Sequence, residues 1–474
     1  MMKKFISLFC CAALLSLSAS LTGQQTISKK TTVGSWLGAI NVNTVELRIV
    51  FNLSITGRDS LIATMDSPDQ GAKGIKLGPV TLSGETIKIS AGAMLAEYNG
   101  TFKNDSVIDG TWKQRGNTVD LNLKKLKGPF TLNRPQEPKP PFPYSAEEVT
   151  FTNESAKIKL AGTLTIPAGK GPFPAVVMIT GSGAQNRDEE ILGHKPFLII
   201  ADYLSRNGIA VLRYDDRGVG KSQGSQLNAT SADFATDAVA GFNFLKSQPK
   251  INAKYIGLVG HSEGGLIAPM IASENPEIGF IISLAGPGVT GQQIIIRQSE
   301  DIGRISGASS AEIHKGSDIN KKLYAILRKE KDNKKAESKI VARYREFLEK
   351  EKKSKDETDK AVNQLKMTFG AATYTWFRYF IMTDPDKFWK RVKCPVLALN
   401  GDKDLQVSAN DNLPDISKAL KTAGNKNVKI VKLPGLNHLF QHCTSGLPSE
   451  YANIEETFSP EVLKIMAEWI VSLK

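Results

Sequence analysis

One short segment constrains the fold of this chain more than any other: Gly260-His261-Ser262-Glu263-Gly264-Gly265. It follows an apolar run at 256–259 and precedes a helix-like stretch at 265–274. A serine set between glycines two residues to either side, at a strand-to-helix junction, predicts a strained turn that lifts the hydroxyl clear of a sheet. Strand and helix come so close at such a turn that side chains at 260 and 264 would clash, and glycine removes them. The turn therefore requires a buried sheet with helices packed against it.

The neighbouring sequence supplies that sheet. Runs rich in Val, Ile and Leu at 175–179, 209–212, 256–259, 280–284, 396–399 and 428–433 fit the buried strands of a mostly parallel sheet. Helix-length segments at 195–206, 231–247 and 265–274 alternate with them, which is α/β layering. The alternation breaks after 280–284 for about a hundred residues rich in Lys and Glu, including 325–355 and an aromatic cluster from Tyr374 to Phe380. A helical lid inserted at about 288–391 is expected there.

Residues 33–133 read differently. Val45 to Ile55 alternates apolar and polar side chains, as do 75–82, 86–90 and 119–123, with turn residues at short intervals between them. A smaller antiparallel β domain, a barrel or a sandwich, is expected. Arg134-Pro135-Gln136-Glu137-Pro138-Lys139-Pro140-Pro141-Phe142-Pro143 then predicts an extended, stiff linker over 134–145. The catalytic α/β domain is expected over 146–474.

The first residues stand apart. Lys3 and Lys4 precede an almost wholly apolar stretch at 5–17, followed by the small residues Ser18, Ala19, Ser20 and Gly23. That is the pattern of a signal peptide over 1–23, so export to the periplasm or the cell exterior is expected. The apolar stretch is short for a bilayer span, and no later run approaches the required length, so no stable membrane span is expected. Cleavage would leave Cys394 and Cys443, at opposite ends of a predicted strand. They are expected to be free thiols.

The formal charge of +13 raises the question of an anionic partner. Between Gly288 and Arg391, 23 basic residues face 15 acidic ones, so most of the excess lies in the helical insertion. Interleaving with acids marks a solvated helix face, and no nucleic-acid partner is expected.

A serine hydroxyl needs an adjacent base to become nucleophilic. Of the five histidines, His261 points away from its neighbour's hydroxyl, while His194 and His314 fall in the wrong chain order. His438 directly follows the run 428–433, with His442 as the fallback. The base needs a carboxylate to fix its tautomer. Asp402 and Asp404 both follow the run 396–399, at the end of a strand where open α/β sheets place ligands. Asp404 is selected, since Asp402 fits a bond to its own turn's amides. The expected catalytic set is Ser262, Asp404 and His438. The oxyanion hole is expected from the backbone N–H groups of Glu263 and of Ser182, with Gly183 the alternative to Ser182.

Several motifs carry a resemblance. Gly181-Ser182-Gly183-Ala184-Gln185-Asn186-Arg187-Asp188-Glu189, Arg213-Tyr214-Asp215-Asp216-Arg217-Gly218-Val219-Gly220-Lys221-Ser222, the elbow and Asn437-His438 together resemble EstD-type serine esterases of the α/β-hydrolase superfamily. The resemblance covers about 148–474. The β-rich region, with Gly34-Ser35-Trp36-Leu37-Gly38 and Gly110-Thr111-Trp112, resembles lipocalin-like modules. The esterase resemblance implies an α/β-hydrolase fold, a metal-free, cofactor-free reaction on a small-molecule ester, and a structural turn at 215–222. No metal-ligand cluster stands out. One departure is Thr180, where many relatives have histidine, which leaves the support of the oxyanion loop open. A serine aminopeptidase is the rival reading, with Glu189, Glu190 and Glu263 as sources of an anionic site for an amine. A lipid- or glycan-binding protein is the remote one.

Overall fold

The computed structural model describes residues 27–42, 45–368 and 371–473, and the expected signal peptide lies outside these. The chain forms two compact units, one of residues up to Ser67 with Ala72–Thr131, the other of Pro68–Gly71 with Leu132–Lys474.

In the first unit ten antiparallel strands form one continuous sheet. Its path runs from the edge strand Ala72–Lys76 to the edge strand Val80–Ser83, which do not pair with each other. One curled, open half-barrel results. The period-two alternation read from the sequence is what fills it. Leu61–Ser67 alternates buried and more exposed positions along its length. Trp36, Phe51, Tyr98 and Trp112 are buried inside, with Trp36 edge-on to Phe102 at 5.5 Å and Phe51 against Tyr98 at 5.2 Å.

The second unit holds an eight-stranded sheet. Its order is Tyr144–Asn153, Ile158–Pro167, Ala210–Tyr214, Phe173–Ile179, Ile251–His261, Phe280–Leu284, Val396–Gly401, Val428–Leu433. From Ala210–Tyr214 onward the strands are parallel, while the first two form an antiparallel pair at one edge. That pair was not anticipated, because its strands are amphipathic and not continuous apolar runs. The strand Tyr144–Asn153 also begins inside the expected linker. Nor is the proline-rich stretch a free spacer. Arg134 donates to the carbonyls of Leu192, Ala452 and Ile454 at 3.0 Å each, and Gln136 accepts from the amides of Thr457 and Phe458.

Both faces of this sheet are covered, which is why its strands read as unbroken apolar runs. Along Phe173–Ile179, Ala175, Val177 and Ile179 join the core beneath the helices Ser231–Lys246 and Glu263–Ala272. Val176 and Met178 point the other way, to the core under Pro196–Arg206 and Pro460–Ser472.

After Phe280–Leu284 the insertion folds as the helices Gly291–Ile305, Ser310–Lys329, Asn333–Lys350, Lys355–Thr368 and Ala371–Met382. Within the charged stretch 325–355 one helix gives way to the next at 330–332, where the Asp332 side chain accepts from the Lys335 amide and caps a new helix. Leu323, Leu327, Ile340 and Phe380 form a lid core of their own with Leu266 and Met270 of the elbow helix. No helix among the described residues is long and apolar enough to cross a membrane. Cys394 and Cys443 are free, and burial pushes their thiols up to about 12 and about 11.

Candidate active site

The strand Ile251–His261 delivers the chain to Ser262, whose backbone sits at φ 52° and ψ −115°, and the helix Glu263–Ala272 starts at once. This is sparsely populated territory for a residue with a side chain, so the surroundings must hold it there. They do. The Ser262 N–H donates to the Leu284 carbonyl at 2.8 Å, and the Gly265 N–H donates to the Ser262 carbonyl at 2.9 Å. The glycines are a steric requirement. A Cβ at 260 would lie 2.0 Å from the Gly264 carbonyl oxygen, and one at 264 would lie 2.1 Å from that of Ile179.

His438 and Asp404 meet as expected from their places in the chain. His438 Nδ1 lies 2.8 Å from Asp404 Oδ2, and both side chains are buried. The other carboxylate oxygen, Oδ1, accepts from the amides of Gln406 and Val407 at 2.8 and 2.9 Å. With Asp404 an acceptor on both oxygens, His438 carries its proton on Nδ1, and the lone pair on Nε2 is left free of Asp404. Asp402 is exposed and accepts from the Gly435 amide at 2.7 Å, a neighbouring loop and not its own turn.

Ser262 and His438 line one cavity of about 240 Å³. Its walls include Gly181, Ser182, Ile294, Ile295, Trp376, Phe380, Val407 and Leu439. The loop at 181–185 lies hard against Ser262, since a Cβ on Gly181 would fall 3.3 Å from the Ser262 Cβ. The Gly181 N–H is already committed, donating to Glu189 Oε1 at 2.6 Å. Ser182 is the next amide along this loop and belongs to an exposed residue. Glu263 opens its helix, so its N–H is one of the four that have no intrahelical acceptor. The structure thus brings Ser262, Asp404, His438, Glu263 and Ser182 into one neighbourhood.

Two acidic residues named for a possible amine site have other partners. Glu189 Oε1 also lies 3.0 Å from His261 Nδ1, while His261 Nε2 donates to the His438 carbonyl at 3.0 Å. Burial alone would push the His261 ring down. The Glu189 carboxylate and the His438 carbonyl more than offset it and hold the ring's pKa above its ordinary value. Bonded at both nitrogens, His261 ties the elbow to the loop that bears His438. The sequence reading had only excluded it as the base. Glu263 Oε1 accepts from Ser231 Oγ at 2.6 Å and from Trp376 Nε1 at 2.8 Å. Burial pushes the Glu263 carboxyl up against these bonds.

The remaining histidines lie apart from this chemistry. His194 is buried between Thr457 Oγ1 and the Tyr451 carbonyl, and His442 is exposed and paired with Glu456. Among the described residues, no group of three or more His, Cys, Asp and Glu side chains is placed to hold a metal ion.

Comparison with known proteins matches this arrangement to one family. The family described as Hydrolase_4, serine aminopeptidase S33, matches residues 196–442. Esterase EstD of Thermotoga maritima is 29% identical over 336 residues, covering 69% of this chain and 68% of that protein. The peroxisomal succinyl-coenzyme A thioesterase of Mus musculus is 24% identical over 137 residues, 29% of each chain. The structure of the Pyrococcus furiosus esterase Pf2001 aligns with a TM-score of 0.41 at 18% identity, over 69% of this chain and 93% of that one. The family match spans more than half of the 474 residues and takes in the elbow, Asp404 and His438. The chain therefore belongs to the Hydrolase_4 (serine aminopeptidase, S33) family of α/β-hydrolases.

Proposed function

We propose that the protein is a carboxylesterase that works through an acyl-enzyme on Ser262. The observation that carries this reading is the buried Asp404–His438 pair, which leaves Nε2 of the imidazole basic in the cavity that Ser262 lines. His438 Nε2 takes the Ser262 proton as Oγ adds to the ester carbonyl. The N–H groups of Glu263 and Ser182 receive the charge on the carbonyl oxygen. His438 then returns the proton to the departing alkoxide, giving the free alcohol and the acylated serine. Water, deprotonated by the same nitrogen, adds to the acyl carbon and releases the acid and Ser262.

An ester is favoured over a peptide with a free amino end by the fate of the acids. Glu189 is paired with His261, and Glu263 Oε1 is bonded to Ser231 and Trp376, so both acids are already engaged within the fold. Glu190 is exposed and bonded to Asn186. The similarity to EstD, named as an esterase, points the same way. Export belongs to the proposal and rests on the segment 1–23.

The test compares the wild type with Ser262→Ala on p-nitrophenyl esters from acetate to decanoate and on aminoacyl p-nitroanilides. Ester turnover that disappears in the variant is the expected result. Anilide turnover without ester turnover would move the protein to the peptidases, and Ser262-independent turnover would overturn the mechanism.

A further inference from the structure

The loop after the strand Phe173–Ile179 is held by a carboxylate that the catalytic scheme does not use. Thr180 Oγ1 donates to Asp216 Oδ1 at 2.7 Å, and the Gln185 amide donates to Asp216 Oδ2 at 3.0 Å. The Asp216 amide in turn donates to the Gln185 carbonyl at 3.1 Å, and Gln226 Nε2 adds a bond to Oδ2 at 3.2 Å. Asp216 thus grips both ends of the segment that carries Ser182, while Glu189 holds Gly181 between them. The esterase resemblance implies a structural turn for the motif around Asp216, and its other members behave so. Asp215 pairs with Arg187, and Arg217 with Asp237.

We propose that Asp216 is a positioning residue for the oxyanion loop: as a carboxylate it fixes Thr180 and Gln185 so that the Ser182 amide faces the carbonyl oxygen, and its protonation loosens that amide. This rests on the esterase reading given above. A loop amide is useful in the transition state only if its direction is set beforehand, and removing one such donor lowers kcat by about 10²–10³-fold.

The surroundings of Asp216 make its charge conditional. Burial pushes its carboxyl up to about 7, against the bonds from Thr180 and Gln185, and the charges of Glu189 and Glu263 push it the same way. Tyr214, on the adjoining strand, is raised by burial and also feels Asp216, while the neighbouring cations Arg187 and Arg217 are turned to Asp215 and Asp237. The signs for activity and stability are opposite. Loop order requires the carboxylate, so activity gains as pH rises through the folded pKa. The native state binds this proton more tightly than the unfolded chain, so stability from this group falls over the same rise.

Thr180→Val, Thr180→Ser, Asp216→Asn and Ser262→Ala would be assayed with p-nitrophenyl butyrate from pH 5 to 9, beside thermal melts at pH 8. Thr180→Val is expected to lose about tenfold or more in kcat with KM within about twofold, and Thr180→Ser to stay within about threefold of wild type. In the wild type, protonation of Asp216 should steepen the acid limb of log kcat. In Asp216→Asn that limb should become shallower and kcat should drop, with a melting temperature at pH 8 no lower than wild type. A Thr180→Val enzyme with wild-type kcat, or an unchanged acid limb in a folded Asp216→Asn, overturns the proposal. If Asp216→Asn does not fold, the Val and Ser pair at Thr180 decides it. Turnover surviving in Ser262→Ala would sink the esterase reading itself, an outcome separate from these.

Discussion

Replacing Asp404 by Asn tests the catalytic geometry most sharply, because the structure dictates which way the amide must turn. Asp404 Oδ1 accepts two backbone amides, from Gln406 and Val407, while Oδ2 receives His438 Nδ1. An Asn here has only one oxygen. Turning that oxygen to the backbone satisfies two buried donors and points the NH₂ at His438. The imidazole must then accept at Nδ1 and carry its proton on Nε2, facing Ser262 with no lone pair. Reversing the amide to restore the right tautomer would break both backbone bonds, at about 1–1.5 kcal/mol each. The imidazolium formed in the transition state also loses a charged partner in a buried site, worth about 1.5–3 kcal/mol. Together these amount to about 3.5–6 kcal/mol, a fall of roughly 10³–10⁴-fold in kcat. The assay is steady-state hydrolysis of p-nitrophenyl butyrate, with KM little changed because ester binding does not use Asp404. Asp402→Asn, altering an exposed side chain bonded to the Gly435 amide, is the control and should stay within about twofold. An Asp404→Asn enzyme within tenfold of wild type would refute both the tautomer argument and the assignment of the acid.

Three further outcomes are expected. Gly264→Ala would place a Cβ 2.1 Å from the Ile179 carbonyl oxygen, so urea denaturation should show a loss of about 3 kcal/mol and activity should fall more than a hundredfold. Trp376 lines the cavity, stacks on Phe380 at 5.4 Å and bonds Glu263. Trp376→Ala should therefore raise kcat/KM for the decanoate ester relative to the butyrate by about tenfold or more, and an unchanged profile would show that the lid does not limit chain length. His194 is pushed down to about 4 by burial and the nearby Arg134 charge, so it folds neutral. Its contribution to stability is complete above pH 6.5 and is lost as pH falls from there towards 4, by up to about 3 kcal/mol. His194→Gln should flatten melting temperature against pH across that window, and a slope equal to wild type would contradict the assignment.

Sequence alone determined those features whose physics is local or ordered along the chain. The elbow is legible because Gly260 and Gly264 answer a clash within one turn, and the α/β layering because a sheet covered on both faces needs unbroken apolar strands. The Asp404–His438 pairing could be read because both residues follow strands that end at the same sheet edge. The capped restart at Asp332 was also written locally and was passed over within a long charged run. Tertiary structure decided what no local pattern encodes: which partner each buried carboxyl keeps. Glu189 meets His261 across 72 positions, Glu263 meets Trp376 across 113, and Asp216 meets Thr180 across 36. An Asp or Glu in a string of residues states only that a charge exists. Whether it binds a substrate amine, pairs with a histidine or clamps a loop depends on the donors that folding carries to it, because a buried carboxylate is tolerated only where those donors converge.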